Sequence, residues 1–191
     1  MKTERRFCVF LALTATLGCA SDQGARDSSL AVNCEGAVFR EFDFWLGEWE
    51  IEQRILSAEG GWIDLPAKTR VASSADGCVI TENWSGEVQF FWEGMTTPEP
   101  IWGYSARRYD PREETWAIFW MDGRNPYFAK PMVGGFEDGR GEFFRDDGDN
   151  KRARIVFDRR GEDRIFWELA ISSGAGADYA PIWTMDMRRA D

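Results

Sequence analysis

From residue 47 onward the chain is cut by turn signals about every 8–12 residues, and no stretch between them holds a long helical period. A chain punctuated this way folds as a sandwich or a barrel. Strands are expected over residues 49–56, 68–74, 78–84, 101–109, 115–121, 127–133, 142–145, 152–158, 164–171 and 181–188, about ten in all, with 88–92 as a further candidate. Asp76-Gly77, Asp110-Pro111, Asp147-Gly148 and Arg160-Gly161 supply turn chemistry between them. Pro131 confines 127–133 to an edge or irregular strand. A short helical turn over 41–46 precedes the first strand.

Alternation assigns faces. Trp116, Ile118, Trp120 and Asp122 point one way, with Thr115, Ala117, Phe119 and Met121 opposite. Ile165, Trp167, Leu169 and Ile171 likewise oppose Phe166 and Glu168. Both faces of several strands are therefore apolar, whereas an open sheet with one wet side would alternate more cleanly. The fold class expected is all-β: one antiparallel up-and-down barrel with an apolar lumen and a partly covered exterior.

Ten tryptophans accompany a complete absence of histidine. The missing His rules out a Ser-His-Asp triad, a Cys-His pair, His-ligated haem and His-containing zinc sites. No glycine-rich loop has phosphate-cradling spacing, so no cofactor is expected. Asp146, Asp147, Asp149 and Asn150 lack the spacing and terminal Glu of an EF-hand, so they read as a solvated turn and no metal is expected.

The first residues read as an address. Lys2, Arg5 and Arg6 precede an apolar run over 7–17 that is too short to span a bilayer. Thr16-Leu17-Gly18-Cys19 resembles the lipobox of bacterial lipoproteins, which implies a signal peptide over 1–18 and lipidation at Cys19. Ordinary signal cleavage near Ala20, giving a secreted protein, is the alternative. Residues 19–36 then form a flexible tether and 37–191 the barrel domain. Ala20 and Ser21 lack the Asp of an inner-membrane retention signal, which points a lipidated form to the periplasmic side of the outer membrane.

Loss of the leader removes Lys2, Arg5, Arg6 and Glu4 and moves the formal charge from −10 to about −12. So acidic a surface disfavours nucleic acid, and leaves membrane contact to the lipid anchor. Cys34 and Cys78 remain in the exported chain. They read as a disulfide worth about 3–4 kcal/mol by loop entropy, with a free reactive Cys78 as the other reading.

Gly47-Glu48-Trp49, opening the first strand, resembles the G-x-W signature of the calycin superfamily of lipocalins, fatty-acid-binding proteins and relatives. That resemblance implies that Trp49 closes one barrel end under a cation from the last strand. Arg188 or Arg189 stands in that place, and Arg188 is taken as the partner. Phe42-Asp43-Phe44-Trp45-Leu46-Gly47-Glu48-Trp49, Gly77-Cys78 with Glu82 and Trp84, and Tyr109-Asp110 with Trp116, Trp120 and Asp122 extend the match. Together they resemble an exported bacterial family of unknown function with the pattern FDFWLGxW…GCxxxExW…YDxxxxxWxxxWxD. The resemblance implies a lipocalin-like barrel and leaves activity open. Phe39-Arg40-Glu41 stands where that family often carries a His, and the His ligand of haem-binding nitrobindin-like barrels has no counterpart.

Glu82 shares a strand face with Trp84, and Asp122 with Trp116 and Trp120. A carboxylate among rings can support the barrel, orient a ligand, or act as general acid or base with a raised pKa. Trp84, Trp116 and Trp120 are expected to supply contact area, and Glu82, Tyr104 or Asp122 to orient a polar group of a small hydrophobic or amphipathic ligand. Two rivals stay open. An enzyme using carboxylate and Tyr chemistry requires unlocked carboxylates in a cleft, and a structural lipoprotein requires a filled barrel.

Overall fold

The computed structural model describes residues 34–174 and 178–191. The expected leader, Cys19 and residues 20–33 of the tether lie outside the described residues. Ten strands follow in order: β1 (Gly47–Leu56), β2 (Trp62–Ser74), β3 (Val79–Val88), β4 (Glu99–Asp110), β5 (Thr115–Asp122), β6 (Met132–Glu137), β7 (Arg140–Gly148), β8 (Lys151–Arg159), β9 (Arg164–Ser172) and β10 (Ala180–Arg189). Each pairs antiparallel with its sequence neighbours, and β10 returns to β1, so the sheet closes as an up-and-down barrel. β1 shows the period plainly: Trp49, Ile51, Gln53 and Ile55 are buried while Glu48, Glu50, Glu52 and Arg54 face solvent.

Some elements differ from expectation. Residues 88–92 do not form a strand of their own; β3 ends at Val88 and a 3-10 turn, Phe91–Glu93, follows. β6 starts only at Met132, because Pro131 has no N–H for the ladder. The approach to it is fastened to β5 by the Ala129 N–H donating to the Trp120 carbonyl at 2.8 Å. β2 begins well before residue 68 and runs through Pro66. Its ladder with β3 starts at Ala67, so the missing N–H falls beyond that pairing.

The N-terminal 3-10 turns, Ala37–Arg40 and Asp43–Trp45, plug one end of the barrel. The Phe42 ring, fully buried, meets Trp116 and Phe136 edge-on at 4.9 and 4.8 Å between centroids. Phe143 and Phe157 complete this ring-filled half. Cys34 is bonded to Cys78, with Cα atoms 5.1 Å apart, which staples the N-terminal segment to the start of β3. Closing a loop of 44 residues stabilises by about 4 kcal/mol on the loop-entropy account.

The cation that closes this end is Arg189 and not Arg188. Trp49 stands opposite Arg189 in the β1–β10 register, and the guanidinium lies 4.4 Å from the Trp49 ring. Its Nη1 donates to the Leu46 carbonyl at 2.8 Å and its Nη2 to that of Phe44 at 3.3 Å. Arg188, one residue earlier, points outward and pairs with Glu52. Gly47 has φ +122°, and a Cβ there would sit 2.6 Å from Arg189 Nη1. Only glycine suits both the dihedral and the approach.

Three outward-facing rings are covered by arginines. Arg160 lies 4.1 Å over Phe166, Arg152 4.4 Å over Phe144 and Arg154 4.6 Å over Tyr179. Their side chains shield apolar surface on the outer faces of β7 and β9 and beside Tyr179, which helps strands apolar on both faces to meet solvent.

Candidate functional site

The half of the barrel away from the plug holds a cavity of about 250 Å³. Strand alternation sets its lining. Glu82 and Trp84 point inward from β3; Gly103, Ser105 and Arg107 do so from β4; Trp120 and Asp122 do so from β5. The ladders place Glu82 opposite Ser105, and Gly103 between Trp84 and Asp122. Gly103 makes room for the wall. A Cβ there would lie 2.0 Å from the Trp120 ring, so the missing side chain lets that indole lie across β4. Trp120 thereby meets Trp84 with centroids 6.2 Å apart, and Trp84 meets Trp183 edge-on at 5.8 Å. Trp167 and Phe90 extend the same wall from Trp183.

The floor is polar and buried. Glu82 accepts from Thr69 Oγ1 at 3.1 Å, from Ser105 Oγ at 2.7 Å and from Arg107 Nη2 at 2.8 Å. The Arg107 guanidinium lies 3.8 Å from the Trp45 ring centroid and is 2% exposed. Burial draws its pKa down, opposed by attraction to Glu82 and their hydrogen bond. A guanidinium nonetheless stays protonated in a protein. Arg107 Nε and Nη1, Trp84 Nε1 and Trp45 Nε1 have no hydrogen-bond partner among the described residues, and all belong to the lining. A buried polar group left this way costs about 1–3 kcal/mol.

The mouth carries a second charged cluster. Arg124 donates to Asp122 from Nη2 at 2.7 Å, from Nε at 3.2 Å and from its backbone N–H at 3.0 Å. Its Nη1 also donates to Glu93 on the 3-10 turn after β3, and its guanidinium sits 4.8 Å from the Phe90 ring. Burial opposes the charge on Asp122, but the hydrogen bonds from Arg124 and from Trp120 Nε1 outweigh it. They hold the carboxyl below its usual range.

Four residues singled out by sequence therefore converge on the cavity: Glu82, Trp84, Trp120 and Asp122. Trp116 does not join them. It shares the inward face but lies in the plugged half, where its Nε1 donates to Glu41 at 2.9 Å. Tyr104 does not join them either, because it alternates with Gly103 and Ser105 and faces out against Phe128. Arg107 was missed. Its parity with Ser105 was readable, but Arg107-Arg108 has the look of a solvated pair until the β3–β4 register brings Glu82 beside it.

A general acid needs a carboxyl set apart from cations in apolar surroundings. Glu82 is instead locked to Arg107 and Asp122 to Arg124, so neither offers that arrangement. Among the described residues, no three His, Cys, Asp or Glu side chains gather in a way that could hold a metal ion.

No family model and no curated protein matches the chain. Solved structures do. An S-type phycobiliprotein lyase, CPES from Guillardia theta, aligns over 83% of this chain and 95% of its own at 12% identity and a TM-score of 0.52. Rv2717c from M. tuberculosis aligns over 82% of this chain and 99% of its own at 9% identity and a TM-score of 0.53. At such identities the likeness is one of fold.

Proposed function

We propose that this protein is an exported barrel, anchored through lipid at Cys19, that binds a small hydrophobic or amphipathic molecule in its Trp-walled lumen. The observation that carries the reading is the lining itself. A ring wall supplies apolar contact, and a buried floor supplies N–H groups that have no partner in the protein. A filled structural barrel would have no such cavity. At about 250 Å³ the cavity falls just under the range of about 300–1,000 Å³ usual for drug-sized ligands, so the ligand is compact.

Export rests on the leader pattern at residues 1–18, the Gly18-Cys19 junction and the resemblance of the chain's motif to that of an exported family. The Cys34–Cys78 bond supports it, since such bonds persist in oxidising compartments. The deciding experiment is native mass spectrometry of the protein purified from its original host, with extraction of anything bound. A stoichiometric small apolar passenger is expected. Empty protein, with Trp fluorescence unmoved by a panel of lipids and aromatic metabolites, would overturn the assignment.

A further inference from the structure

The unpartnered polar atoms of the lining residues are of one kind, each shielded from solvent. Arg107 Nε and Nη1 and the indole nitrogens of Trp84 and Trp45 all carry hydrogens to donate. The floor's acceptor, Glu82, is already engaged by Thr69, Ser105 and Arg107. A ligand amine or ammonium would face a buried cation and a carboxylate that already accepts three hydrogen bonds. A plain hydrocarbon would leave the donors as they are. A carboxylate would find donors, but the charge of Arg107 is already balanced by Glu82 at 2.8 Å. Seating it would bury a net negative charge in a ring-walled space.

We infer that the ligand is a compact aromatic or alicyclic carbonyl compound, bound with an uncharged C=O oxygen against the Arg107 and Trp84 N–H groups. Its ring body lies along Trp120 and Trp183. This rests on the lumen-binding reading and adds to it the chemistry of the buried end. A ketone, ester or amide oxygen accepts without bringing charge, so it relieves the donors at no cost in Coulomb energy.

Matched probes separate the possibilities: 2-acetylnaphthalene, 2-naphthoate and 2-ethylnaphthalene, each measured against the whole protein by equilibrium dialysis. The ketone is expected to bind about tenfold or more tightly than the hydrocarbon of the same shape, and more tightly than the carboxylate. With a ¹³C-labelled carbonyl, the infrared C=O stretch of the bound ketone is expected below its position in hexane, the mark of donated hydrogen bonds. Trp84→Phe keeps a ring and removes one donor. It is expected to narrow the ketone-to-hydrocarbon ratio while 2-ethylnaphthalene still binds. The wild-type series stands if that variant does not fold. Equal binding of ketone and hydrocarbon with an unshifted stretch overturns this inference and leaves lumen binding intact, and so does tightest binding by naphthoate. Failure of all three to bind overturns this inference, and a barrel that is also empty when purified from its host and unmoved by the ligand panel overturns the lumen-binding reading with it.

Discussion

Arg107 and Glu82 form an ion pair of 2.8 Å in which both side chains are all but excluded from solvent. Such a pair is strongly sensitive to losing one partner and weakly sensitive to losing both, because the cost lies in the stranded charge. Arg107→Met is expected to destabilise the barrel by about 3–5 kcal/mol, and Glu82→Leu by a similar amount. The double variant is expected to recover most of that loss. Urea midpoints of the three proteins decide it, and simple additivity of the two single losses would contradict the account.

Gly103 determines whether the Trp wall can exist. A methyl group at this position would sit 2.0 Å from the Trp120 ring. Gly103→Ala is expected to cost about 1–3 kcal/mol by overpacking. In a Trp120→Leu background the same change should cost much less, since the clashing ring has gone. Equal costs in the two backgrounds, read from denaturant midpoints, would show that the ring is not what demands glycine.

Much of the barrel is legible because strand period is a local property. The buried series Trp49, Ile51, Gln53 and Ile55 and the face shared by Ile118, Trp120 and Asp122 follow directly from alternation. Tyr104 was placed in the lumen on residue type, although its parity with respect to Ser105 puts it outside. Trp116 shows what parity cannot supply. It faces inward like Trp120, yet four residues separate them by about 13 Å along the strand. Which end is plugged depends on the two N-terminal 3-10 turns delivering Phe42 and Trp45. The floor needed the register as well, since Glu82 and Arg107 are 25 residues apart in sequence.

Acid is expected to loosen the mouth. Asp122 has a folded-state pKa below its usual value, so the folded barrel binds fewer protons than the unfolded chain wherever the two differ. The resulting stabilisation is complete above the unfolded value of about 3.9 and is lost as pH falls through the folded one. Asp122→Asn should therefore melt below wild type at neutral pH, and the gap should shrink as the buffer is taken below about pH 4. A gap that stays constant down to strong acid would mean that the Arg124 contact contributes nothing through the charge of Asp122.

Reduction of the Cys34–Cys78 bond releases the N-terminal plug from β3. About 4 kcal/mol of loop entropy corresponds to a fall in melting temperature of roughly 8–16 °C for a domain of this size. Scans of the protein with and without a phosphine reductant give the value directly. No shift would assign the staple a negligible part in holding the plug.

The plugged end offers a test between adjacent residues. Arg189 stacks over Trp49 and donates to two carbonyls of the segment leading into β1, while Arg188 reaches only the exposed Glu52. Loss of a partly buried cation–π contact together with two charge-assisted hydrogen bonds and the Asp163 ion pair should cost about 2–4 kcal/mol. Arg188→Ala should stay within about 0.5 kcal/mol, as surface ion pairs do. The inward parity of Trp183, Met185 and Met187 extends to residue 189, which is why the stacking cation is the second arginine of the pair. Guanidinium midpoints of the two alanine variants should differ accordingly, and the opposite order would place the closing cation at Arg188 after all.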